Sequence, residues 1–133
     1  MASAGYSGTP LAKKLGIKPD MRVLLVQPPP DYAELLGVDI SAQTVSEPPA
    51  DLAHIFAVSR KELRDVFMKL IKKMPSAGII WISWYKKSSK IPTDITEDLI
   101  REIVLPTGWV DVKVCAVSDT WSGLKIVKRV AQR

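Results

Sequence analysis

Apolar positions along this chain follow two periods. Leu63, Val66, Phe67, Leu70, Ile71 and Met74 recur at spacings of three and four, the stripe of an amphipathic helix. Ser59 and Glu62 precede the stripe as a capping box, and Pro75 stops it. Ile95, Leu99, Ile100, Ile103 and Val104 repeat the helical spacing, with Thr93 placed to cap that helix and Pro106 to end it. Val110, Val112, Val114 and Ala116 alternate with Asp111, Lys113, Cys115 and Val117, which predicts a strand with two different faces. Residues 21–27, 52–58 and 78–85 are short apolar runs, the pattern of strands buried on both sides of a parallel sheet. Residues 44–46 form a weaker strand, and a last one runs from Leu124 to about Val130.

Turn residues separate these segments. Thr9, Pro10 and Gly16 frame a short helix, with Thr9 as its cap. Pro28, Pro29 and Pro30 end the first strand, because proline cannot donate to a ladder. A short helix over residues 31–36 is closed by Gly37. The resulting order predicts an α/β fold: a three-layer, Rossmann-like arrangement with a mostly parallel six-stranded sheet and a C-terminal antiparallel hairpin. Residues 1–20 read as an N-terminal arm with a short helix, and 21–133 as one Rossmann-like domain.

With 133 residues, 47% of them hydrophobic and 25% charged, the chain can bury one real core. A single cysteine, Cys115, excludes an internal disulfide framework and a multi-cysteine zinc module. A single histidine, His54, argues against a His-rich metal site or a Ser-His-Asp triad, and its place inside an apolar strand predicts a hydrogen-bonded core residue. No metal site is expected. No apolar run approaches the ~20 residues that cross a bilayer. The N-terminus lacks the long apolar core of a signal peptide, so a cytoplasmic location without membrane contact is expected.

The net charge of +5 is unevenly spread. Residues 20–58 carry one base and six acids, whereas residues 59–90 carry nine bases and two acids. Such asymmetry can steer an anionic partner, although a solvated helix face explains most of it. Nucleic-acid binding through the basic helix ranks last, because no helix-turn-helix or RNP signature is present.

In open α/β sheets ligands bind beyond the carboxyl ends of the strands. Those ends offer Gln27, Ser59, Ser83, Trp84, Lys86, Lys87, Asp119 and Trp121 as candidate ligand-binding residues. Trp84, Tyr85 and Trp121 could stack on a flat ligand while Lys86 and Lys87 meet an anionic group. No acid-base-nucleophile set is recognisable, and no catalytic residue is assigned.

The element order resembles the Rossmann-like fold of class I methyltransferases, which use S-adenosylmethionine. More closely, four segments resemble a family of small bacterial proteins of unknown function with a shortened methyltransferase-like domain. They are residues 7–16, 81–87 (from Trp81 to Lys87), 92–98, and 110–125, where Val110 to Ala116 lead to Trp121, Ser122 and Gly123. That resemblance implies a fold and brings no established activity. It also exposes a departure: a dinucleotide or S-adenosylmethionine site needs glycines after the first strand, and here Gln27-Pro28-Pro29-Pro30-Asp31 stands in their place. Glu47, 20 residues beyond Gln27, has the spacing of a ribose-binding acid but reads better as a surface residue. The expectation is a non-catalytic domain with no cofactor that acts through protein contacts, including those of a homodimer. The alternative is a binder of a small anionic molecule, or a divergent enzyme, at the strand-end rim.

Overall fold

The computed structural model describes residues 10–133. The expected Thr9 cap, and the part of the arm before Pro10, lie outside the described residues. Four α-helices and six strands follow in the order α1 (Leu11–Leu15), β1 (Val23–Val26), α2 (Tyr32–Leu36), β2 (Thr44–Val45), β3 (Leu52–Phe56), α3 (Arg60–Ile71), β4 (Ile79–Tyr85), α4 (Glu97–Val104), β5 (Trp109–Ala116) and β6 (Trp121–Lys128). The strands form one sheet in the order β2-β1-β3-β4-β6-β5. β1 pairs in parallel with β2 and β3, and β3 with β4. β6 is antiparallel to both β4 and β5. The expected α/β, Rossmann-like sheet with an antiparallel C-terminal hairpin is therefore present. Its last strand is inserted between β4 and β5, so β5 runs the same way as β4.

The alternation of side chains across the strands divides the core into two layers. Leu24, Ala53, Ile55, Ile80, Ile82 and Trp84 face α3 and α4. Val23, Leu52, Phe56, Trp81 and Trp121 face α1 and α2. α3 buries Leu63, Phe67 and Leu70, and α4 buries Leu99, Ile100, Ile103 and Val104, as their stripes require. Gly16 (φ 85°) and Gly37 (φ 79°) close α1 and α2 in the left-handed conformation that suits glycine.

Several local expectations shift for physical reasons. Ser59 Oγ accepts from Glu62 N at 3.2 Å, but the Glu62 carboxylate accepts from Val58 N (2.9 Å), one residue earlier than in a standard capping box. Thr93 does not cap α4. Thr96 does, accepting from Leu99 N at 3.1 Å. Thr93 and Asp94 are drawn instead to the start of α3, where the Thr93 hydroxyl donates to Val58 O (2.6 Å) and Asp94 accepts from Arg60 N (2.7 Å). β6 begins at Trp121, earlier than Leu124, because Tyr85 and Trp84 of β4 offer pairing partners for Trp121 and Ser122. The strict alternation of β5 is broken by a register shift between Asp111 and Lys113, and Val112, Lys113 and Val114 are all exposed on this edge strand.

Candidate functional site

The strand-end rim holds a half-open cleft of about 330 Å³. It sits where the chain, having gone from β1 outward to β2, returns to β3 on the other side of β1. This is the topological switch point at which α/β sheets receive ligands. Gln27, Pro29, Pro30 and Asp31 form one wall, Phe56 and Val58 the end of β3, and Tyr85, Thr120 and Trp121 the opposite side. The β5–β6 turn reaches this rim because β5 is parallel to β4.

The first wall is built by proline chemistry. Residues 28–30 have no backbone N–H to offer, and the Pro29 carbonyl already accepts from Tyr32 N at 3.0 Å. Gln27 enters this turn with φ 54°, a left-handed conformation that costs a non-glycine residue of order 1 kcal/mol or more. Backbone strain at the mouth of a cleft is where binding sites concentrate it.

The far wall is aromatic. Tyr85 stacks on Trp121 with ring centroids 4.1 Å apart, and Phe56 meets Trp121 edge-on at 4.9 Å. The Ser118 hydroxyl accepts from both Thr120 N and Trp121 N at 3.1 Å, which holds the turn that presents Thr120. Behind this wall lies a buried polar chain. The Tyr32 hydroxyl lies 2.8 Å from His54 Nδ1, and His54 Nε2 lies 2.7 Å from Ser83 Oγ. His54 also stacks on Phe56 at 4.3 Å. Complete burial pushes the His54 imidazole down to about 3, so it is neutral at pH 7 and carries one ring proton for one of the two hydroxyls. Burial likewise pushes the Tyr32 phenol up. The chain is a brace for the aromatic wall.

The eight residues singled out from sequence are distributed unevenly. Gln27 and Trp121 line the cleft. Ser59 caps α3, and Ser83 is wholly buried against His54. Trp84 packs in the α3/α4 layer, on the opposite face from Trp121. Lys86 is half-buried and donates its backbone N–H to Thr120 O (2.8 Å), while Lys87 and Asp119 are exposed beside the rim. Phe56 and Val58 were missed; the only signal for them was their place at the end of β3 and just after it. Tyr32 was missed as the partner of His54, since nothing in the chain links positions 22 residues apart. Glu47 is exposed and lies outside the cleft lining. Burial pushes the half-buried Cys115 thiol up, away from the thiolate a nucleophile needs. Among the described residues no group of three or more His, Cys, Asp or Glu could hold a metal ion, and no helix is long and apolar enough to cross a membrane.

No protein-family model matches the sequence, and no curated protein matches it. Solved structures do match in shape. The tRNA methyltransferase TrmK of B. subtilis superposes with a TM-score of 0.58 at 10% identity, over 89% of this chain and 63% of that one. The ribosomal protein L11 methylase of Lactobacillus delbrueckii subsp. bulgaricus gives 0.57 at 12% identity, over 90% and 75%. LepI in complex with SAM gives 0.56 at 11% identity, over 90% and 39%. The chain thus spans less than two thirds of TrmK and of LepI. At these identities the likeness establishes a methyltransferase-like fold.

The fold raises the question of S-adenosylmethionine, and the turn after β1 answers it poorly. A cofactor that must approach backbone closely meets proline rings at Pro29 and Pro30, with no donor from residues 28–30. The first N–H of α3 is also spoken for, at Arg60, by the Asp94 carboxylate. The residues present do not fit that cofactor.

Proposed function

We propose that this chain is a non-catalytic, methyltransferase-like binding domain of the small bacterial family its sequence resembles. Its ligand is a small, flat molecule held in the strand-end cleft. The observation that carries this reading is the cleft's lining: prolines on one side, a stacked Tyr85–Trp121 pair on the other, at a topological switch point. Flat, weakly polar bodies gain most from such walls, and the polar tips at Gln27, Asp31 and Thr120 supply orientation. Lys86 and Lys87 lie outside the lining, so they favour an anionic substituent only where it projects out of the cleft, away from the Asp31 carboxylate of the lining. Protein contacts through the free edge of β5 are a weaker reading. The register shift at Asp111 and the exposed Lys113 blunt that edge in the way proteins discourage strand pairing.

The test is thermal unfolding against a panel of aromatic carboxylates, nucleotides and S-adenosylmethionine. A member of the first two groups is expected to raise Tm and to quench tryptophan fluorescence, and Thr120→Arg, which plugs the cleft, is expected to abolish both effects. S-adenosylmethionine is expected to do neither. No shift with any flat anion at millimolar concentration would count against the proposal, and a saturable shift with S-adenosylmethionine would reverse the reading of the proline turn.

A further inference from the structure

A second groove, of about 620 Å³, lies on the other face of the sheet, between α3 and the β1–β2 edge. Its origin is a gap in the helical layer. α3 and α4 cover β3, β4 and β6 on this face, while α1 and α2 lie on the opposite one. The connection from β2 to β3, residues 46–51, carries no helix. On this face β1 buries Leu24 but leaves Val26 only partly covered, as is Val45 of β2; a third helix would fit beside α3, and none of this chain's described elements takes that place.

The lining has the chemistry of a helix-docking groove. Leu24, Val26, Val66 and Leu70 give it an apolar floor, and Val26 and Val66 are only partly covered. Lys69, Lys72 and Lys73 stand along one side, all exposed; none forms an ion pair with a described acid, although Lys69 lies close enough to Asp65, one turn earlier, to favour its carboxylate. No carboxylate belongs to the lining. Glu47 lies between the lining residues Ser46 and Pro48 but is itself outside it. Lysines also suit the C-terminal end of a helix, where they complement its dipole. That role accounts for their place at the C-terminal end of α3 but not for the partly covered valines beside them.

We infer that this groove docks an amphipathic helix from a partner protein, one whose apolar stripe is flanked by Asp and Glu. The apolar stripe would complete the layer over β1 and β2, and the flanking carboxylates would meet Lys69, Lys72 and Lys73. Charge complementarity of this kind selects the partner and speeds encounter more than it adds affinity.

The test uses a fluorescein-labelled peptide of about 18 residues, long enough for a marginal helix. It carries a leucine stripe flanked by Glu, and a twin carries Lys in place of Glu. Binding is read by anisotropy, and its location by amide shift mapping on the intact chain. The Glu peptide is expected to bind at least about tenfold more tightly than its twin, with shifts confined to residues 24–26 and 66–73. Lys69→Glu with Lys73→Glu is expected to invert that preference, Val66→Arg to abolish binding of both peptides, and Thr120→Arg to change nothing. Equal affinity for the twins, indifference to the charge reversal, or no binding of either peptide at millimolar concentration would overturn the inference. Shifts centred on Lys86–Lys90 would do the same. So would a groove that takes up decanoate and neither peptide, which would reassign it to small anionic amphiphiles.

Discussion

The two faces of the sheet solve the same problem by different means. Towards α3 and α4 the layer is mainly aliphatic, contributed by two helices whose stripes interlock with Ile55, Ile80 and Ile82. Towards α1 and α2 the helices are only five residues each, and the layer is filled by rings: Tyr32, His54, Phe56, Trp81 and Trp121. Short helices cover little sheet, so this side relies on large side chains with directional contacts. The Trp81 indole donates to Leu15 O at 2.9 Å, and the Tyr32–His54–Ser83 chain crosses from α2 to β4. The aliphatic face is held by area, which is forgiving of shape. The aromatic face is held by partners, which are not. The candidate ligand cleft opens on the second face, where rigid walls are available.

The comparison can be broken from either side. The largest effect is expected from Phe67→Ala on the aliphatic face, wholly buried in α3: a loss of about 3–5 kcal/mol in urea unfolding, from area and cavity together. Its m-value should be unchanged. On the aromatic face His54→Leu keeps the volume but leaves the Tyr32 and Ser83 hydroxyls buried without His54. A loss of about 2–4 kcal/mol is expected near pH 7.5, and adding Ser83→Ala should recover part of it. Full recovery by packing alone would show that this face, too, is governed by area.

Acidification separates the two faces further. The folded chain holds His54 down to about 3, whereas the unfolded chain protonates it near 6.5. The unfolded state therefore binds more protons between these values, so this contribution is complete above about pH 6.5 and is lost as pH falls towards 3, at about 1.4 kcal/mol per unit. His54→Leu should lack that component. The gap between wild type and variant should narrow on going from pH 7 to pH 4, and a constant gap would contradict the buried neutral histidine. The smallest effect is expected from Gly123→Ala on β6. An added methyl would meet Val117 Cγ2 at 3.0 Å and Trp81 Cε3 at 3.3 Å, within reach of Ser83 Oγ at 3.5 Å. A cost of about 1–3 kcal/mol is expected, with a change in near-ultraviolet circular dichroism that reports the displaced indole.

How much of this was legible along the chain depended on range. α3 and its stripe, the strand at residues 79–85, and the closing glycines of α1 and α2 were readable because each rests on neighbours within one or two turns. The cap of α4 was misplaced from Thr96 to Thr93 because both residues are competent caps, and Thr93 was claimed by a carbonyl 35 residues away. Of the candidate site, Gln27 and Trp121 were reached through the rule that ligands sit at strand ends. That rule could not say which face a strand-end side chain takes. Trp84 and Trp121 are equivalent in a sequence reading, yet they lie on opposite sides of the sheet, because the antiparallel register pairs Trp84 with Ser122 and Tyr85 with Trp121.

The amino-acid sequence by itself determined the element order, the α/β class and the proline turn after the first strand, since these follow from local periodicity and from the missing N–H of proline. Tertiary structure alone decided that β6 slips between β4 and β5, that Tyr32, His54 and Ser83 meet, and that the helix layer covers β1 and β2 only in part. Each of those depends on which strands become neighbours, a choice made by the whole core at once and written at no single position.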